Sequence, residues 1–347
     1  MRQRMVKWRR GLGALLIDLP RYVVCMIPKQ GWIRMRNRAD AVRRAETGVG
    51  VACDWEHTRT LHLCDVFPVT GKWLLRRALR DYPITRQDRP KHQNGLFCCG
   101  NADIAEDAVP DISFLIGHRG KERLPLLMAV LESIAAQCDV SFEALVVEQD
   151  TTPVIRDSLP DWVRYVHNPC PDAMPYNRSQ TFNVAAAHAR APLLVLHDND
   201  MLLPQSYAAE ACRLAGQGYE VINMKRFIFY MAEASPRIME NNVQSVVQNL
   251  EGGGSVAIVK HVFDAIGGMD EAFVGWGGED MEFWGRCLTR KVWEYTFLPI
   301  VHLWHAAQPG KRAKRGLGEA TADLTDARLA MVPEQRIAEL VDQRRGG

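Results

Sequence analysis

The chain lacks an excess of either charge. Its 43 Lys and Arg stand against 41 Asp and Glu, and the basic residues gather at the ends rather than along one face. A net charge of +2 on that pattern argues against nucleic acid as a partner. A disulfide framework is also missing: the nine cysteines are odd in number and irregularly spaced. No amino-terminal segment has the clean apolar core and small-residue cleavage site of a secretory signal, so a reducing cytosol is the expected compartment. A membrane-spanning helix needs ~20 nearly continuous apolar residues. The apolar residues from Leu12 to Ile27 are interrupted by Asp18, Pro20 and Arg21, which excludes that segment as a span. Internal repeats and low-complexity tracts are absent as well.

What is present is ample material for a core. An apolar fraction of 47 % over 347 residues suits two domains, or one large domain with an extension. The opening Arg2, Arg4, Lys7, Arg9 and Arg10 lie beside Trp8, Leu15, Leu16 and Ile17. That combination reads either as an amphipathic segment lying on an anionic bilayer or as a solvated basic terminus. Gly71 to Leu79 reads as a short amphipathic helix and Asp81 to Asn94 as a polar connection. We place one boundary near residue 107 and another near 310, giving an amino-terminal extension (1–107), a central domain (108–310) and a polar tail (311–347).

The central domain alternates in an α/β pattern. Strands are expected at Ile112 to Gly117, Phe142 to Glu148, Val163 to Val166, Leu193 to His197, Tyr219 to Asn223, Ser255 to Val259 and Thr296 to Ile300. Helices are expected near Arg123 to Gln137, Arg178 to Ala189, Pro204 to Ala215 and Glu279 to Arg290, with a short one ending at Ile266. The strand at Leu193 to His197 runs into Asp198-Asn199-Asp200. In α/β sheets ligands bind at the carboxyl ends of strands.

An Asp-x-Asp after an apolar strand serves either as an ordinary solvated turn or as a seat for a hard divalent cation, with positions left open for phosphate oxygens. His302 and His305 follow the last strand, and an added imidazole would favour Mn²⁺ over Mg²⁺. The segment Gly275-Trp276-Gly277-Gly278-Glu279-Asp280-Met281-Glu282 delivers three carboxylates to the mouth of a helix. Acids there complement the helix dipole. Capping alone leaves Trp276-Gly277-Gly278 unexplained, since bare glycine backbone beside an indole face suits the approach of a sugar. A carboxylate at that point could act as general base toward a hydroxyl. Arg119, after the first strand, and Arg178, opening a helix, are either surface groups or donors to a diphosphate. Gly252-Gly253-Gly254 is a flexible turn or a point of ligand approach. The spacing of Cys53, His57, His62 and Cys64 departs from common zinc-ligand patterns, and the Cys98-Cys99 pair is uninformative.

Taken in order, Ile112 to Lys121, Tyr176-Asn177-Arg178 with Asn183, Asp198 to Asp200, Gly253 to Ile258 and Gly275 to Glu282 resemble GT-A glycosyltransferases. The likeness is to the β-1,4-galactosyltransferases and the bacterial chondroitin-polymerase-like enzymes, over about residues 110 to 310. It implies a GT-A fold, a mixed central sheet flanked by helices. It implies a UDP-sugar donor over the first strands near Arg119 and Arg178, with Asp198, Asn199, Gly253, Gly254, Gly277 and Gly278 on the donor side. By the same resemblance Asp200 holds Mn²⁺ (or Mg²⁺) with Asp198 and a downstream His, either His302 or His305. Trp276 and Glu279 contact sugar, Asp280 is the base of an inverting displacement, and Glu282 faces the acceptor. The implied acceptor is a glycan or a lipid-linked saccharide, met at the inner face of the cell membrane. Galactosyltransferases carry a third aspartate where this chain has Met281, and Leu250 and Glu251 replace their aromatic residues, which leaves sugar and acceptor open. Retaining polypeptide GalNAc-transferases share a Trp-Gly-Gly-Glu element. A non-catalytic sugar- or nucleotide-binding module and a metal-dependent nucleotidyltransferase are the competing readings.

Overall fold

The computed structural model describes residues 109–172, 174–225, 227–231, 243–248, 252–293, 300–306 and 319–346, together with Leu16 and Leu19. The expected amino-terminal basic segment, the helix at Gly71 to Leu79 and the cysteines before residue 109 lie outside these residues, apart from Leu16. No described helix is long and apolar enough to cross a membrane.

Among the described residues seven strands form the main sheet: β1 (Ile112–His118), β2 (Phe142–Glu148), β3 (Val163–His167), β4 (Leu193–His197), β6 (Val221–Ile222), β9 (Ser255–Val259) and β10 (Val292–Trp293). Their order is β10-β6-β9-β4-β1-β2-β3. A smaller sheet joins β5 (Met201–Leu202), β7 (Phe227–Met231), β8 (Val243–Gln248) and β11 (Ile300–His302) in the order β5-β11-β7-β8. β1 pairs in parallel with both β2 and β4, whereas β9 runs antiparallel to β4 and β6. The result is a mixed α/β architecture with helices on both faces, compatible with a GT-A-like fold.

Alternation along the strands divides the core in two. Ile112, Phe114 and Ile116 of β1 meet α1 (Leu124–Ala135) through Leu127, Val130, Leu131 and Ile134, and α3 (Tyr207–Gly216) joins the same cluster. Leu115 turns to the other face with α2 (Arg178–His188), α4 (Lys260–Ala265) and α5 (Glu279–Cys287). Each fully buried Leu, Ile or Phe contributes on the order of 1.5–3 kcal/mol, so these two layers dominate the folding energy. α3 begins at Tyr207 rather than at Pro204. Gln137 donates to the Pro204 carbonyl, which holds the proline in the connection before the helix.

Strand register sets the working edge. Because β1, β2 and β4 are parallel, His118, Glu148 and His197 end at the same side. In the antiparallel pair His197 faces Ser255, so Gly252 to Gly254, just before β9, meet the strand-end acids. Asp198 donates its amide to the Gly254 carbonyl at 2.9 Å. In the small sheet His302 pairs with Met201, and the Leu303 amide donates to the Asp200 carbonyl at 2.8 Å. That contact brings the His302 to His305 segment to Asp200.

Beyond residue 318 the chain forms two helices, α6 (Glu319–Leu329) and α7 (Pro333–Gly346), and both pack against α5. Buried ion pairs attach them. Asp270 is held by Arg328 at 3.1 Å and by Arg336, and Arg336 also approaches Glu282 at 3.4 Å.

Candidate active site

Asp200 is buried at the end of the loop that follows β4. His305 Nε2 stands 3.2 Å from its Oδ2 and His302 Nε2 3.7 Å from its Oδ1. One ligand atom from each of these three residues lies within 4.8 Å of the others. Tyr230 stacks on the His302 ring at 4.4 Å between centroids and fixes its plane. Burial lowers the His302 pKa and favours the neutral imidazole. Burial would raise the Asp200 carboxyl, but the His305 bond and the charges of His302 and Arg123 outweigh it and hold the group well below the usual carboxylate range.

The donor set fits a divalent cation. Asp200 Oδ1 is buried without a hydrogen-bond partner. His305 Nδ1 lies 2.7 Å from the Ala306 carbonyl, which can only accept, so Nδ1 carries a proton. His305 Nε2 then faces the Asp200 carboxylate, where both offer ligand atoms to one cation.

Asp198 lies outside this trio. Its Oδ1 accepts from Arg178 Nε at 2.8 Å, and the other side of the same guanidinium reaches Glu279 Oε1 at 3.3 Å. Arg178 opens α2, where Asn177 caps the first turn by accepting from the Gln180 amide. Asn177 also donates to the Glu271 carbonyl, and the Gly275 amide donates to Tyr176, so the start of α2 is tied to the acidic loop. Burial would lower the Arg178 pKa, yet Asp198 and Glu279 together raise it and keep the guanidinium charged.

The acidic loop is built on positive-φ glycines. Gly278, at φ 93°, caps α5 in the left-handed region, and a β-carbon there would collide with Thr325 of α6. Thr321 donates to the Trp276 carbonyl at 2.9 Å, so α6 supports the loop from behind. Trp276 itself is half-buried. Glu279 is buried, and its Oε2 has no hydrogen-bond partner. Burial and the neighbouring Asp280 charge push its pKa up to about 7 against the opposing pull of Arg178. Asp280 accepts from the Met281 amide at 2.9 Å through Oδ1, and its Oδ2 lies over Gly253, where a β-carbon would strike it.

Two further residues from the sequence reading are held by neighbouring side chains. Glu282 is buried in a two-bond pair with Arg286, at 2.8 and 2.6 Å, on the side of α5 facing α7. Asn199 donates to His118 Nδ1 at 3.0 Å, because His118 Nε2 donates to the Gly120 carbonyl and leaves Nδ1 as acceptor. Arg119 donates to the Met174 carbonyl at 2.5 Å and spans toward that of Asp172. Gly254 abuts Met201 of β5. Arg123, which sequence reasoning took only as the start of a helix, donates to Asp200 Oδ2 at 2.5 Å.

A mixed sheet, an Asp/His trio at its working edge and a glycine-built acidic loop together form one candidate active site. Residues 238–300 match the family described as the N-terminal domain of galactosyltransferase. The matched stretch contains Gly252 to Gly254, β9 and the whole acidic loop, and it supports a glycosyltransferase. No curated protein matches the chain.

Proposed function

We propose that the protein is a metal-dependent glycosyltransferase that moves a hexose or N-acetylhexosamine from a UDP-sugar to a hydroxyl of a glycan or lipid-linked acceptor, with inversion. The observation that carries this reading is the Arg178 bridge between Asp198 and Glu279. It joins the strand-end acids, which suit a diphosphate and its cation, to the loop that suits a sugar.

Asp200, His302 and His305 would hold the cation, Mn²⁺ by its affinity for mixed carboxylate and imidazole ligands. When bound, it supplies positive charge opposite the departing diphosphate. Trp276 offers an apolar face to a sugar ring, and the unpartnered Glu279 Oε2 accepts from a sugar hydroxyl. Arg178 fixes Glu279 through its other oxygen. Asp280 takes the proton of the acceptor hydroxyl as that oxygen bonds to the anomeric carbon. The bond from that carbon to the diphosphate breaks on the opposite face, and the electron pair leaves with UDP. Glycine at 253 gives the Asp280 carboxylate its room.

UDP release from a panel of UDP-sugars, with Mn²⁺ or with chelator and with or without candidate acceptors, tests the proposal. Mn²⁺-dependent, acceptor-stimulated UDP release is expected. Pyrophosphate release would point to nucleotidyl transfer, and sugar binding without turnover to a non-catalytic module.

A further inference from the structure

Arg123 closes the 3-10 turn Lys121–Arg123 and leads into α1. Its side chain is 23 % exposed and that of Asp200 is 9 %, so their 2.5 Å pair is partly screened from water. Arg123 Nε is buried without a hydrogen-bond partner, as is Asp200 Oδ1. The pair therefore carries an unmet donor on one side and an unmet acceptor on the other. An unmet carboxylate oxygen suits a cation, and an unmet guanidinium N–H suits an anion such as a phosphate. Arg123 and His305 share the same oxygen, Asp200 Oδ2. A divalent cation entering the trio meets a positive charge already bonded to its carboxylate ligand.

We propose that Arg123 is an internal counter-cation of the site: it competes with the divalent cation for Asp200 and is released toward the diphosphate when donor and cation bind together. This rests on the metal reading given above. Without nucleotide, the Asp200 and Arg123 charges neutralise each other and the cation binds weakly. With nucleotide, the guanidinium gains a second anionic partner, so cation and nucleotide strengthen one another's binding.

The test is titration of Mn²⁺, read from the electron paramagnetic resonance signal of the free ion, against full-length wild type, Arg123→Gln, Arg156→Gln and Asp200→Asn, with and without UDP. Arg123→Gln should bind Mn²⁺ about tenfold more tightly without UDP, the size expected from one charge-assisted pair. The further tightening caused by UDP should shrink by about the same factor. Arg156→Gln makes the same change of charge at an exposed side chain of the 3-10 turn Arg156–Ser158, and should shift Mn²⁺ affinity by less than about threefold. Unchanged or weaker Mn²⁺ binding by Arg123→Gln overturns the competition, and so does an equal gain in Arg156→Gln. Wild-type affinity in Asp200→Asn would instead remove the metal reading and the competition with it. Arg123→Met gives the same readout should the Gln variant misfold.

Discussion

The Asp280 carboxylate lies directly over the α-carbon of Gly253, with no room for a methyl group between them. The relation joins two motifs that are well separated in sequence and fixes where the carboxylate points. Any side chain at 253 must displace it.

Gly253→Ala is therefore expected to lower turnover by roughly 10²-fold, the scale of losing a positioned general base, while the protein stays folded. Gly285 provides the contrast. It sits within α5 with nothing near the site of an added methyl. Gly285→Ala should raise stability by about 0.5–1 kcal/mol and leave turnover unchanged. Paired urea unfolding and activity assays check both, and equal effects of the two variants would contradict the Gly253 contact.

Glu279 sets a pH dependence of stability. Its pKa is raised to about 7 in the folded chain from an ordinary value of 4.5, so the folded state favours the protonated form. Ionisation then costs folding free energy as pH rises from near 4.5, and the cost is complete above about 7. Glu279→Gln cannot ionise. Its stability relative to wild type should therefore rise between pH 5 and pH 8, whatever its packing effect at either pH. A flat difference in urea unfolding across that range would contradict the burial of an ionisable Glu279.

Asp270 anchors the carboxyl-terminal helices through Arg328 and Arg336. Removing one partner of a buried pair leaves a charge uncompensated, so Asp270→Ala should cost ~3 kcal/mol or more. Hydrogen exchange should accelerate across 319–346 and then at Trp276 to Gly278, which α6 supports. Unchanged exchange in the loop would separate it from the helices.

The basic residues from Arg2 to Arg10 beside Trp8 give an amino-terminal expectation. If they hold the enzyme near a lipid-linked acceptor, cosedimentation with anionic liposomes should fall with salt and with deletion of residues 1–27. Deletion that leaves binding unchanged would remove the idea.

Strands buried on both faces were legible in the sequence. β2, β4 and β9 span the residues expected for them, each built around an apolar run. β8 and β10 were not, because very short or partly polar segments gain their strand character from pairing rather than from composition; the apolar run of β7 is legible but is not among the expected strands. Asp200, His302 and His305 were legible by chemistry, although their meeting depends on the register of β5 against β11. Arg123 left no local signal, since its contact with Asp200 crosses 77 positions. The Glu282–Arg286 pair did leave one: a spacing of four on a helix faces an acid toward a base, and that spacing competes with an acceptor role for Glu282.

The most direct measurement is kcat and UDP-sugar affinity for Asp280→Asn in the Mn²⁺-dependent UDP-release assay. Asparagine keeps the shape and still suits the first turn of a helix, but it cannot take a proton. The expected result is a fall in kcat of ~10²- to 10⁴-fold with donor affinity nearly unchanged. Near-normal turnover would contradict the role of Asp280 and leave Glu279 as the carboxylate at the mouth of α5 to carry the proton.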